Sequence, residues 1–162
     1  MIDFPLLSES DINVRISTFN ERGASLLLYK DARCDADILD AAVGQEGWQC
    51  KFYECKGNLY CSVGILCDDT WVWKDDCGAE SNMEKEKGEA SDSFKRACFK
   101  WGIGRELYTA PRIRISAEKL KDKYDKFSVE KITYEDRKIS GLAIRNDTMG
   151  IRVFVWQKGA RS

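Results

Sequence analysis

Apolar and polar residues repeat along this chain with two different periods, and one stretch carries the longer one. Residues 84–101 contain no proline and a single interior glycine, Gly88. At about 100° per residue, Ala90, Phe94, Ala97, Cys98 and Trp101 share one stripe, which predicts a long helix lying on a core. Lys95, Arg96, Phe99 and Asp92 fall on the opposite side. Gly102 and Gly104 end the helix, where a left-handed cap suits glycine. An aromatic residue beside adjacent cations is not an ordinary solvated face. It reads equally as exposed charge with a subunit contact and as a binding surface.

The shorter period, two, predicts strands on both sides of this helix. Residues 13–18 (NVRIST) place Val14 and Ile16 on one side and Arg15 and Ser17 on the other. Residues 19–23 turn, and 24–30 (ASLLLYK) return as the second arm of a hairpin. Asp35 is expected to cap a short helix through Val43 that ends at Gly44. Strands follow at 48–55, 59–67 and 70–74, joined by turns at Lys56-Gly57-Asn58 and Asp68-Asp69. On the second, Leu59, Cys61, Val63 and Ile65 form the core face, while Tyr60 and Ser62 look outward. Short connections make this an antiparallel meander whose one face the long helix can cover. Residues 75–85 read as a polar, mobile connection. Pro111 marks a break, Ser116 is expected to cap a short charged helix to Tyr124, and strands are expected at 127–134, 139–145 and 151–156. The fold class is α+β: an antiparallel β-meander packed against one long helix, with extra C-terminal β-hairpins, in a single domain over 1–162.

Composition narrows the chemistry. The chain has 162 residues, 43% apolar and 33% charged, as in soluble globular proteins. No run is long enough to cross a bilayer, and the acidic start (MIDFPLLSESD) has no signal-peptide pattern, so the expected location is the cytoplasm. Seven cysteines without a CxxC pair read as small buried hydrophobes in a reducing compartment. There is no histidine, which removes Ser-His-Asp and Cys-His catalysis and imidazole metal ligands. Lysines and arginines (26) nearly balance aspartates and glutamates (27), for a net charge of −1. Any polyanion site must therefore gather cations locally.

Three kinds of candidate follow. Asp68, Asp69, Asp75 and Asp76, with Glu80 and Glu84, could hold magnesium in a nuclease, although adjacent strand aspartates point to opposite faces. GIGRE follows a helix and so places no phosphate on a helix N-terminus, and no GxxxxGK[ST] exists; no cofactor is indicated. The third candidate is a cationic and aromatic surface. Arg15, Lys51, Tyr53, Tyr60 and Lys74 are expected on strand faces opposite the apolar sets. With Lys95 and Arg96 they would line a groove in which cations follow phosphates. Tyrosines there would support unstacked bases, at roughly 1–3 kcal/mol each. Ordinary exposed strand residues would give the same pattern.

Specific motifs then point further. GEASDSFKRACFKWGIGRELY resembles the signature helix of single-strand annealing proteins of the Rad-fifty-two superfamily. Ser91-Asp92, Lys95-Arg96-Ala97, Trp101-Gly102 and Leu107-Tyr108 match its pattern in order. Tyr29-Lys30-Asp31-Ala32-Arg33, the helix ending at Gly44, and Gly47-Trp48 look like the family's opening, and WVWKDDCGAESNMEKEKGEASD is similar to the phage-encoded, Sak-type branch. The match covers residues 14–108. The resemblance implies a non-enzymatic protein that forms an oligomeric ring or helical filament. Its groove would hold single-stranded DNA for pairing in recombination and repair. A phage exonuclease or host single-strand-binding protein would be a possible partner. By position, it implies DNA contacts at Arg15, Tyr29, Lys95 and Arg96; Lys74, from the strand pattern, and Phe99, on the outer side of the helix, join them as expected contacts. Phe99 departs from the pattern, since the eukaryotic members carry another cation there. The acidic Asp68-Asp69 turn lies near where those members add charge for a second, outer DNA path, which the resemblance does not carry over. A nuclease and a pure assembly module remain the competing readings.

Overall fold

A computed structural model describes residues 1–79 and 85–160. In chain order its regular elements are β1 (Asn13–Asn20), β2 (Gly23–Tyr29), α1 (Ala32–Val43), β3 (Trp48–Cys55), β4 (Asn58–Cys67), β5 (Thr70–Cys77), α2 (Lys85–Trp101), β6 (Ile113–Ser116), β7 (Phe127–Glu135), β8 (Lys138–Asn146) and β9 (Ile151–Gln157). All strand pairs are antiparallel, so the α+β class and the meander with its helix are as expected. Among the described residues no helix is long and apolar enough to cross a membrane. The chain divides into two compact units, each built from two stretches: Met1–Leu6 with Asp31–Arg105, and Leu7–Lys30 with Glu106–Ser162.

In the first unit the sheet runs β3-β4-β5. Cys61, Val63 and Ile65 of the central strand are fully buried beneath Phe94, Ala97 and Cys98 of α2, so the helical stripe and the strand alternation meet as predicted. The helix end also matches, with Gly102 at φ +108° and Gly104 at φ +77°. Gly78 is required for another reason. A Cβ there would lie 2.3 Å from the Glu89 carbonyl oxygen, because the end of β5 passes directly against α2.

Three expectations fail in this unit. Asp31, not Asp35, caps α1, its carboxylate accepting the Cys34 N–H at 3.1 Å. Asp35 lies inside the helix and is fully buried. The supposed connection at 75–85 begins as strand, since β4 is long enough to pair Ser62 with Asp75, Cys61 with Asp76 and Tyr60 with Cys77. Its residues 80–84 lie outside the described residues. Ser62 does face away from α2, yet it is only 2% exposed, flanked in register by Lys51 and Asp75.

In the second unit the strand order is β6-β2-β1-β7-β8-β9. Its core is Leu26, Leu28, Ile113, Ile115, Val129, Leu142, Ile144 and Val153. The β1–β2 hairpin and the strands β7, β8 and β9 match expectation within a residue or two. Of the helix expected from Ser116 to Tyr124 only a single 3-10 turn, Ala117–Lys119, forms. Ser116 ends the short strand β6, and its hydroxyl bonds the Glu118 carboxylate at 2.7 Å instead of a helix N-terminus. Downstream, the Asp125 carboxylate accepts the backbone N–H groups of Lys121 (2.7 Å) and Asp122 (3.2 Å) and the Asn146 amide (2.8 Å). That competing local network fixes a loop where charge alone suggested a helix.

Candidate nucleic-acid interface

The outer side of α2 carries the cations that the sequence singled out. Lys95 and Phe99 are half-buried and Arg96 is exposed. Arg96 Nε lies 3.0 Å from Asp92 Oδ2, one turn earlier, and the same oxygen accepts the Ala79 N–H at 2.9 Å. With 55% of its side chain exposed, Arg96 is oriented by this pair rather than buried in it. Such exposed pairs are worth only about 0.3–0.5 kcal/mol, so a phosphate can compete for the guanidinium.

Arg105 belongs to this surface, although its position after two glycines hid it from sequence reasoning. Its Nε and Nη2 donate to the carbonyls of Phe99 and Lys100, each at 2.8 Å, satisfying the open end of α2. The guanidinium lies 5.4 Å from the Phe99 ring centroid, so one ring face is already occupied by a cation.

Lys74 also meets α2. It is registered opposite Val63, on the helix side of the sheet, with its ammonium 4.6 Å over the Trp101 ring and 3.3 Å from the Lys100 carbonyl. The Trp101 indole N–H donates to the Val63 carbonyl at 2.9 Å. Lys51, Tyr53 and Tyr60 occupy the other face of the sheet, which corrects the expectation that they share one surface with Lys74. Trp71, Val72 and Trp73 are three apolar residues in a row, so periodicity could not tell which side of β5 faces the core.

That other face has its own polar centre. Lys51 lies 4.3 Å over Trp73, and Tyr53 stacks on Tyr60 with ring centroids 5.4 Å apart. The Asp75 carboxylate accepts the Tyr53 hydroxyl at 2.6 Å and the Ser62 hydroxyl at 2.5 Å. Burial pushes the Asp75 carboxyl upward, but these two bonds and the charges of Lys51 and Lys100 outweigh it and hold the group below its ordinary value. The same bond, with burial, pushes the Tyr53 phenol up to about 12. A depressed carboxyl stabilises the fold above its unfolded pKa and loses that contribution as pH falls. Asp75→Asn is therefore expected to lower stability by about 1–2 kcal/mol at pH 7. The gap between variant and wild type should narrow progressively as pH falls below about 4, the ordinary aspartate range, as read from paired thermal melts.

Arg15 and Tyr29 belong to the second unit. They sit on adjacent strands, both exposed, with the guanidinium 5.9 Å from the tyrosine ring centroid. The structure thus brings Arg15 to Tyr29, and Phe99 to Arg105 beside the Lys95–Arg96 pair, within their separate units.

The carboxylates do not converge. Asp68 and Asp69 form the β4–β5 turn at φ +46° and +63°, both exposed. Asp75 and Asp76 point to opposite faces of β5, and Asp76 accepts the Cys77 N–H at 2.8 Å and lies 3.8 Å from Lys100 Nζ. Glu80 and Glu84 lie outside the described residues. Among the described residues no three or more potential ligands cluster to hold a metal ion. None of the seven cysteines forms a disulfide, but only Cys34, Cys61 and Cys98 are buried. Cys50 and Cys55 are exposed because β3 is an edge strand, which corrects their reading as core residues.

No protein-family model matches the chain, and no solved structure matches it. Among curated proteins it is similar to the single-stranded DNA-binding protein DdrA of Deinococcus radiodurans, at 36% identity over 100 residues. The alignment covers 59% of this chain and 48% of DdrA, so it spans about half the length of that relative.

Proposed function

We propose that this chain binds single-stranded DNA and anneals complementary strands without nucleotide hydrolysis, as a homo-oligomeric ring or filament acting in recombination and repair. One observation carries the reading: the long helix whose inner stripe builds the core turns Lys95, Arg96 and Phe99 outward, with the Arg96 guanidinium oriented and exposed. DdrA's own binding to single-stranded DNA agrees with it, as does the Rad-fifty-two-like signature. Lys95 and Arg96 would neutralise phosphates, with Lys74 adding charge at the base of the helix. Phe99, backed by Arg105, would offer a ring to a base, and Arg15 with Tyr29 would make a second point of contact. Two polyanions repel each other. Neutralising one backbone while its bases stay unpaired lowers that barrier and converts strand pairing into a search for register. A few contacts per subunit bind weakly, so many subunits along one strand are needed. The Sak-type resemblance extends the proposal to a phage origin, a host-cytoplasmic location and a partner exonuclease or host single-strand-binding protein.

Labelled complementary oligonucleotides, mixed with the protein with and without EDTA, test this. Accelerated annealing that EDTA leaves unchanged is expected. EDTA-sensitive shortening of the strands would instead establish a nuclease, and no effect on the strands would leave an assembly module.

A further inference from the structure

The second unit holds a groove beside the proposed DNA contact at Arg15 and Tyr29, neither of which lines it. β6 pairs with β2 only from Gly23 to Leu26, whose partner Ile113 is the last, whereas β1 follows β2 as far as Tyr29. Beyond Leu26 the β2 edge therefore has no ladder partner on that side among the described residues. There the chain at Leu107–Arg112 diverges and leaves an open groove of about 380 Å³. Its lining is mainly aliphatic, with Leu27 43% exposed and Pro111 and Ala110 opposite, and Tyr108, 81% exposed, at the rim. Among the described residues no carboxylate lines it.

Charge distinguishes the groove further. The unit that contains it carries sixteen lysines and arginines against eleven aspartates and glutamates, whereas the other unit carries ten against sixteen. Arg112 lines the groove, and Arg114 lies beside it with Nη1 3.4 Å from the Ser25 hydroxyl. Both are exposed, and neither has a carboxylate partner among the described residues.

We propose that this notch takes an acidic, extended peptide segment of a partner protein, added as a short strand to the free edge of β2. Backbone groups of the peptide would continue the ladder where β6 stops, an apolar side chain would fill the groove over Leu27, and carboxylates would meet Arg112 and Arg114. A peptide fits better than a nucleic acid. The free groups are those of a strand edge, which a sugar-phosphate backbone cannot complete, and the lining is aliphatic more than aromatic.

Fluorescence anisotropy on the full chain decides the matter. The probe is a labelled peptide of about nine residues, long enough for one strand, alternating aspartate and leucine. A lysine–leucine peptide of equal length is the control, and unlabelled oligothymidine the competitor. The acidic peptide should bind and the basic one should not. Oligothymidine should fail to displace it, and Arg112→Glu with Arg114→Glu should weaken it about tenfold or more. Should that variant lose its wild-type circular dichroism, Leu27→Glu gives the same comparison at the apolar subsite. No binding of the acidic peptide, equal binding of both peptides, or unchanged affinity in the folded variants would overturn the proposal. Displacement by oligothymidine, with DNA affinity lost in the same variants, would assign the groove to nucleic acid instead.

Discussion

Lys95→Ala combined with Arg96→Ala is expected to abolish binding to single-stranded DNA while leaving particle size by light scattering unchanged. Arg96 is exposed and Lys95 only half-buried, so their removal leaves the buried stripe of Phe94, Ala97 and Cys98 intact. The Arg96–Asp92 pair that is lost is exposed and worth about 0.3–0.5 kcal/mol. Binding loses far more. Each phosphate contact contributes a salt slope of about −0.7 on a single strand, so two per subunit remove about 1.4 from the slope, repeated at each subunit along the strand. The change also works in the opposite sense electrostatically, because Asp92 keeps its charge after its guanidinium partner has gone. The measurement is a salt titration of oligonucleotide anisotropy. Unaltered affinity and slope in the double variant would move the DNA path off this helix.

Trp101→Ala is expected to cost about 3–5 kcal/mol, the range for truncating a large packed aromatic. That is a large share of the roughly 5–15 kcal/mol that holds a typical domain together. Three contacts go at once: the ring area against the sheet, the indole bond to the Val63 carbonyl, and the aromatic seat of the Lys74 ammonium. Trp101→Phe separates them. It keeps most of the packing and a seat for Lys74 while leaving the Val63 carbonyl without its indole donor, at a smaller cost of about 1–3 kcal/mol. Urea denaturation of the three proteins should therefore rank wild type above Trp101→Phe above Trp101→Ala. Equal midpoints would show that the end of α2 is not anchored through this residue.

Much of this architecture was legible because both periods were clean. Phe94, Ala97 and Cys98 of the predicted stripe and the alternation of Cys61, Val63 and Ile65 each identify a buried face, and the two faces pack on each other, while Ala90 and Trp101 at the ends of the stripe are half-buried. Local competition was harder to read. Asp31 and Asp35 are both plausible caps, and only the geometry of the chain entering α1 selects the first. Ser116 looks like a helix start, but Asp125 gathers two nearby N–H groups and the Asn146 amide into a loop. Of the candidate site, the residues of α2 were readable because their helix was. Lys74 was placed on the wrong side of its strand, since Trp71, Val72 and Trp73 conceal the parity. Arg105 gave no periodic signal at all, because it acts by reaching back over a glycine-terminated helix end.

The most direct test is photocrosslinking of a bromodeoxyuridine oligonucleotide to the intact protein, with the adducts mapped by mass spectrometry. Adducts within α2, on the peptide that contains Lys95, Arg96 and Phe99, are expected. Efficient crosslinking that never touches α2 would contradict a DNA-holding helix.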